Sequence, residues 1–359
     1  MCAWKYKRIM SKVTVAKLKL MEPKKITDLL GMKLRDIFSM LEKTPYNKEI
    51  SEISAKNLNS NSLEEALLRN FIKSYEDLVD FSPKGIRLLI SSFLTKFEVN
   101  CVKAMLRTKE ANLSNDEAMK FIIPAGKLTR VKCKEILENS EKMDDVIESL
   151  SDMEYGPVLD KALTEYKEER IFYLLEVALD RYVYFSIWRS IGKLGGLDKK
   201  IAKTIVGIEV DIANIKTILR CKEMGIKEEQ IKRYLIPVSE VFGEKELYEI
   251  IKDSDTSTFI NSLVRLAKQA MARDYSYIFT ELQQQNVTSL TTIEMILDKG
   301  LIKTSLRMIK RYTQYFNLGL VLAYLNLKWF EIRNLRAIIR GTEAGISPEK
   351  IKKTLILVK

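Results

Sequence analysis

The stretch that most constrains how this chain folds is its last one, residues 331–351, which reads as a helix, a tight turn and the start of a second helix. Ile332, Leu335, Ile338 and Ile339 fall at helical spacing, so one face is apolar while Arg333, Arg336 and Arg340 lie off it. Gly345 supplies a left-handed stop. Ser347 is placed to accept the free amides of the next helix, and Pro348 stands at its first position, where a missing N–H costs nothing. The spacing predicts an αα-hairpin, and the chain contains it three times.

Residues 214–226 align with residues 334–346, and six of the thirteen positions are identical. A weaker copy, residues 101–113, matches the second at Lys103, Leu106, Arg107, Lys109 and Glu110, with Asn112 in place of the turn glycine. The copies lie more than a hundred residues apart, far beyond the period of a helical solenoid. The repeat is therefore read as one of whole lobes, 1–126, 127–240 and 241–359, in a pseudo-threefold arrangement.

Only 14 glycines and 7 prolines interrupt 359 residues, while Leu, Ile, Lys and Glu abound, so the fold class expected is all-α. Helices are predicted near 130–139, 143–151 and 157–192, and from 257 to 272. Ser82 is read as the N-cap of a long helix with Pro83 at its first position. The longest apolar run, 318–330, is interrupted by Asn326 and Lys328 and is shorter than the ~20 residues a bilayer span needs. No signal peptide is read at the start.

The chain has no histidine, which removes the commonest general base, the Ser–His and Cys–His nucleophile pairs, and the commonest metal ligand. The four cysteines show no metal spacing and are read as reduced thiols. Residues 192–199, glycine-rich and basic, lack the Gly-Lys-Ser/Thr ending of a phosphate loop and follow a helix, so they are read as a connector. No cofactor is expected. The net charge is +12, and the first 50 residues carry 12 Lys or Arg against 5 Asp or Glu. Such an excess suits nucleic acid, an anionic membrane surface, an acidic protein or a merely solvated face.

Two carboxylate pairs stand four residues apart on a helix, Glu176 with Asp180 and Glu294 with Asp298. One face of a helix is where acid–base or metal chemistry would place them. Each pair, however, shares its lobe with a hairpin arginine, Arg220 or Arg340, and an ion pair that locks the lobe is the expected use. Arg107, Arg220 and Arg340 occupy equivalent positions in the three hairpins and either face a central partner or lock their own lobes. Tyr182, Tyr184, Phe185, Trp188, Tyr312, Tyr315, Phe316 and Trp329 have the types that stack on bases, but their helical spacing among Leu, Val and Ile reads as core.

With these residues in place, the chain resembles the C subunit of the archaeal-type (A-type) rotary ATP synthase, equivalent to the d subunit of the vacuolar-type proton ATPase. The resemblance is carried by Asn334-Leu-Arg-Ala-Ile-Ile-Arg-Gly341, by Gly345-Ile-Ser-Pro-Glu-Lys-Ile351, by Asn214-Ile-Lys-Thr-Ile-Leu-Arg220, by the 176–181 helix and by Thr44-Pro-Tyr46. It departs at the N-terminus, where residues 4–8 are a partial version of the family's start, and at Cys101 and Asn112. The resemblance implies a funnel-shaped, all-helical, non-catalytic subunit on the cytoplasmic face of the membrane, between the central-stalk subunits and the proteolipid rotor ring. A basic helical nucleic-acid-binding or scaffold protein is the competing class; under the family reading no nucleic acid is bound, and membrane-surface contact falls to the basic N-terminal section.

Overall fold

The computed structural model describes residues 3–253, 255–269, 276–284, 289–312 and 317–357, with the side chains of residues 3–5, 55, 120, 121 and 312 left aside. The described residues are all-α, with a single isolated bridge between Ala125 and Leu128. In chain order the helices are α1 (Ala3–Leu18), α2 (Pro23–Thr27), α3 (Leu34–Leu41), α4 (Asn47–Ile50), α5 (Ser60–Phe81), α6 (Lys84–Glu110) and α7 (Asn115–Phe121). Then come α8 (Arg130–Glu138), α9 (Met143–Glu148), α10 (Gly156–Glu169), α11 (Tyr173–Gly192), α12 (Gly196–Glu223) and α13 (Glu228–Tyr234). The last six are α14 (Glu244–Ile251), α15 (Thr256–Gln269), α16 (Ser276–Gln284), α17 (Leu290–Tyr312), α18 (Leu318–Glu343) and α19 (Pro348–Thr354). None of them is long and apolar enough to cross a membrane.

By contacts the chain divides into two compact units. One holds residues 19–190 and 331–353, so a C-terminal segment packs with the N-terminal part of the chain. Here α5 lies along α6. Leu63, Ala66, Leu67 and Phe71 of α5 are buried, and Phe71, Tyr75 and Phe97 form a cluster of edge-to-face rings 5.2 to 5.4 Å apart. The other unit holds residues 1–18, 191–330 and 354–359. In it α12 lies along α17, α15 along α16, and Phe242 meets Phe279 edge-on at 5.2 Å.

The three hairpins form as the local chemistry requires. After α18 the Ile346 amide donates to the Gly341 carbonyl at 2.8 Å and Gly345, at φ +67°, donates to Thr342. This six-to-one and five-to-two pair is a Schellman stop. The same two bonds run from Ile226 to Cys221 and from Gly225 to Lys222, and again from Leu113 to Thr108 and from Asn112 to Lys109. Asn112 takes φ +52°, as the glycines do.

Two predicted boundaries move, and the helix expected over 143–151 ends at Glu148 as α9. The helix expected over 157–192 is broken at Arg170, which adopts φ +58° and ends α10. Neither glycine nor proline marks that break, so nothing in the pattern of breakers announces it. Ser82 does not cap α6; its hydroxyl turns back to the Leu78 carbonyl at 2.5 Å, and Pro83 is the residue that precedes the helix. The predicted helix over 257–272 is seen as α15 as far as Gln269; residues 270–272 lie outside the described set.

Candidate functional site

Each long hairpin helix carries an arginine one turn before its stop, and each arginine meets a glutamate from a different part of the chain. Arg107 on α6 donates through Nε and Nη2 to both oxygens of Glu176 on α11, with Nη2 at 2.9 Å. Arg220 on α12 makes the same bidentate contact to Glu294 on α17, at 2.6 and 2.8 Å. Arg340 on α18 makes it to Glu64 on α5, with Nη2 at 2.8 Å. One turn earlier on each helix a second cation joins. Lys103 meets Asp180 at 2.5 Å, Lys216 meets Asp298 at 2.5 Å, and Arg336 meets Glu64 at 3.0 Å.

This corrects the expectation that a carboxylate pair binds the arginine of its own sequence segment. Glu176 and Asp180 meet the first hairpin, not Arg220; Glu294 and Asp298 meet the second, not Arg340. The third hairpin reaches back to the start of the chain. The reason is the packing: each hairpin helix lies against the segment that follows it in sequence, and the last against residues of the first.

Glu64 was not singled out in the sequence, although a signal for it exists. Leu63-Glu-Glu-Ala-Leu-Leu-Arg69 parallels Leu175-Glu-Val-Ala-Leu-Asp-Arg181, with Leu68 in the place of Asp180. That exchange explains why Glu64 serves two arginines. Without a second carboxylate four residues on, Arg336 shares the one that Arg340 holds.

Burial divides the pairs into two kinds. The arginines are largely open, at 61, 58 and 60 % side-chain exposure, while Glu176, Glu294 and Glu64 stand at 9, 18 and 5 %. The Glu176 hydrogen bond holds the Arg107 guanidinium above its ordinary pKa, against the opposing effect of burial. An ion pair with an open arginine contributes little by Coulomb attraction alone, about 0–1 kcal/mol. Its larger role is to satisfy a carboxylate that has left water. Lys216 and Asp298 are different, at 16 and 7 %, so either one left alone would be a poorly solvated charge.

A second repeated set escaped the sequence reading altogether. Nine residues before each arginine stands a buried acid, Glu98, Asp211 or Glu331. Glu98 accepts the Lys127 amide at 2.8 Å and the Tyr155 hydroxyl at 3.2 Å. Glu331 accepts the Met21 amide at 2.6 Å and the Tyr46 hydroxyl at 2.6 Å. Asp211 accepts the amides of Val241 and Phe242. These acids tie a long helix to the chain that enters the next segment, and their only sequence mark is a shared spacing from the arginine. Burial, and then the Glu98 charge, push the Tyr155 phenol far above its usual pKa.

The signature asparagine acts in the same way. Asn214, buried in α12, both donates to the Ile236 carbonyl at 3.0 Å and accepts the Ile236 amide at 2.8 Å. Cys101 holds the equivalent place on α6, and its thiol donates to Ile123, likewise 22 residues on. Of the aromatics, Tyr184 is buried as expected, but Phe185 is 53 % exposed with Arg189 over its ring, so it is no core residue. The Tyr312 side chain and residues Tyr315 and Phe316 lie outside the described set.

With these contacts in hand the comparison with known proteins is decisive. The family model described as "ATP synthase (C/AC39) subunit" matches residues 9–354. The chain belongs to that family. Among curated relatives, the A-type ATP synthase C subunit of Methanosarcina barkeri is 27% identical over 354 residues, covering 98% of this chain and 93% of the relative. Its counterpart of the same name in Methanocaldococcus jannaschii is 24% identical, over 98% of this chain and 86% of its own length. That of Methanobrevibacter smithii is 31% identical over 79% and 72%. Membership in the C/AC39 family supports a role as a subunit of a rotary ATP synthase. The family match, residues 9–354, covers the hairpins and the carboxylates together.

Proposed function

We propose that the chain is a non-catalytic rotor subunit of an A-type or V-type ATP synthase, a socket that couples the central stalk to the proteolipid rotor ring during proton transport coupled to ATP synthesis. It sits peripherally on the cytoplasmic face of the membrane. Its body is three similar helical lobes, 1–126, 127–240 and 241–359, in a pseudo-threefold funnel. The observation that carries this reading is the thrice-repeated contact of a hairpin arginine with the glutamate of another segment.

Torque transmission asks for resistance to shear, not for a reacting group. Helices satisfy their own backbone hydrogen bonds, and close packing resists deformation. In this reading Arg107, Arg220 and Arg340, with Glu176, Asp180, Glu294 and Asp298, lock one lobe to the next, each carboxylate engaged by a cation of another segment. The family membership and the names of the curated relatives support the assignment to a rotary ATP synthase.

Affinity purification of the tagged chain from native membranes tests it. Recovery of ring and stalk subunits is the expected result. Recovery of neither, together with binding to DNA or RNA at physiological salt, would replace it with the basic nucleic-acid-binding class.

A further inference from the structure

In the unit formed by residues 19–190 and 331–353, two lysine-bearing segments far apart in sequence meet. Pro348, at the start of α19, stands against Gly31: a Cβ on Gly31 would lie 3.6 Å from the Pro348 ring. That contact brings α19, which carries Lys350, Lys352 and Lys353, to the segment of Gly31, two residues before Lys33 and four after the end of α2, which carries Lys24 and Lys25. Counting Arg35, segments 22–36 and 348–353 hold seven basic side chains against four acidic ones, Glu22, Asp28, Asp36 and Glu349. All eleven are exposed. Among the described residues none of the eleven side chains takes part in an ion pair or a hydrogen bond.

We infer that this patch is a docking surface for anionic lipid headgroups. Two features favour a membrane over an acidic protein. Six of the seven cations are lysine, the residue that protein interfaces deplete, whereas arginine and aromatics, which they favour, number one and none here. The one large apolar side chain exposed in residues 345–353 is Ile346, 45 % open beside Pro348, a single shallow anchor rather than the core of an interface. Lysines clustered on a surface without partners gain attraction from anionic headgroups additively, within about a Debye length. Residues 22–36 carry four basic side chains against three acidic ones and residues 348–353 carry three against one, so the excess of the patch arises only where the fold joins the two segments.

The proposal rests on the rotor reading only in giving the chain a membrane to meet, and it is tested on the isolated chain. Co-sedimentation with vesicles of phosphatidylglycerol in phosphatidylcholine is compared at low and physiological salt with vesicles of phosphatidylcholine alone. The expected result is binding to the anionic vesicles that weakens with salt. The variant K24Q/K25Q/K350Q/K352Q/K353Q is expected to lose about tenfold or more in partitioning. A charge-matched control, K48Q/K56Q/K73Q/K84Q/K161Q, changes exposed lysines of the same unit and is expected to keep most of it. Circular dichroism and thermal unfolding establish that both variants are folded. Equal losses in the two variants, no binding by the parent chain, or tighter binding to polyglutamate than to the anionic vesicles would overturn the proposal. A chain that binds vesicles through this patch but recovers no ring or stalk subunit would sink the rotor reading and leave the patch standing.

Discussion

Glu64 and Arg340 are 276 residues apart in sequence and meet through a bidentate ion pair, with Arg336 donating to the same carboxylate at 3.0 Å. Glu64 is 5 % exposed at its side chain, so the contact joins the last hairpin to α5 across nearly the whole length of the chain. Replacing Glu64 with Gln leaves the two arginines facing a neutral amide. A loss of about 1–3 kcal/mol in urea unfolding is expected. An effect within about 0.5 kcal/mol would mean that the pair holds nothing together.

The Lys216–Asp298 pair is the more buried of the repeated contacts, and it is expected to be the more sensitive. Asp298→Asn removes the charge that Lys216 meets at 2.5 Å and should cost about 3 kcal/mol. The exposed side of the same set predicts the contrast. Arg220→Gln, whose side chain is 58 % open, should cost about 1 kcal/mol. Equal losses in chemical denaturation would contradict the division by burial.

Asn214 closes both hydrogen-bonding groups of Ile236 with one amide. Asn214→Ala leaves a buried N–H and a buried carbonyl without that partner, for an expected loss of about 2–4 kcal/mol. Asn214→Asp supplies the acceptor but not the donor and should recover only part of it. Thermal unfolding of the two variants side by side checks the order.

Glycine is required at position 126 for two reasons at once. The backbone there takes φ +58°, and a Cβ would stand 2.4 Å from the Glu98 carboxylate. Gly126→Ala is therefore expected to cost more than about 2 kcal/mol. Gly225 has φ +67° but open space around it, so Gly225→Ala should cost only the backbone term of about 1 kcal/mol. A ranking in the opposite order would show that the Glu98 side chain yields freely.

Tyr155 gives the chain an alkaline limit. Its hydroxyl donates to Glu98, and burial holds the phenol neutral well above the value near 10 at which an unfolded tyrosine ionises. Below about pH 10 the unfolded and folded states bind this proton alike, and above it the unfolded state releases the proton first. Stability is thus full at lower pH and falls as pH rises past that point. Tyr182, more open and pushed up to about 12, adds to the same trend. In Tyr155→Phe the decline in urea midpoint from pH 9 to pH 11 should be shallower than in the parent chain. An unchanged slope would assign the decline to other groups.

Much of the helical layout was legible in the residues themselves. The spacing of Ile332, Leu335, Ile338 and Ile339, with Gly345 and Pro348 after them, specifies a hairpin because caps and i, i+4 contacts act within one or two turns. The triplication could be read for the same reason: each copy repeats the same local chemistry, down to Asn112 standing in for glycine. Arg170 was not legible, because its left-handed stop carries no residue that prefers one.

What the sequence by itself determined was a helical chain with three hairpins, and which side chains each hairpin presents. Which carboxylate each arginine meets was decided only by tertiary structure. A charge pair forms wherever packing brings a donor and an acceptor within about 4 Å, and that distance bears no relation to separation along the chain. Hence Glu64 serves Arg340, Glu98 and Glu331 accept distant amides, and Pro348 stands against Gly31. Local propensities placed these groups on their helices, and burial of the apolar faces against one another chose their partners.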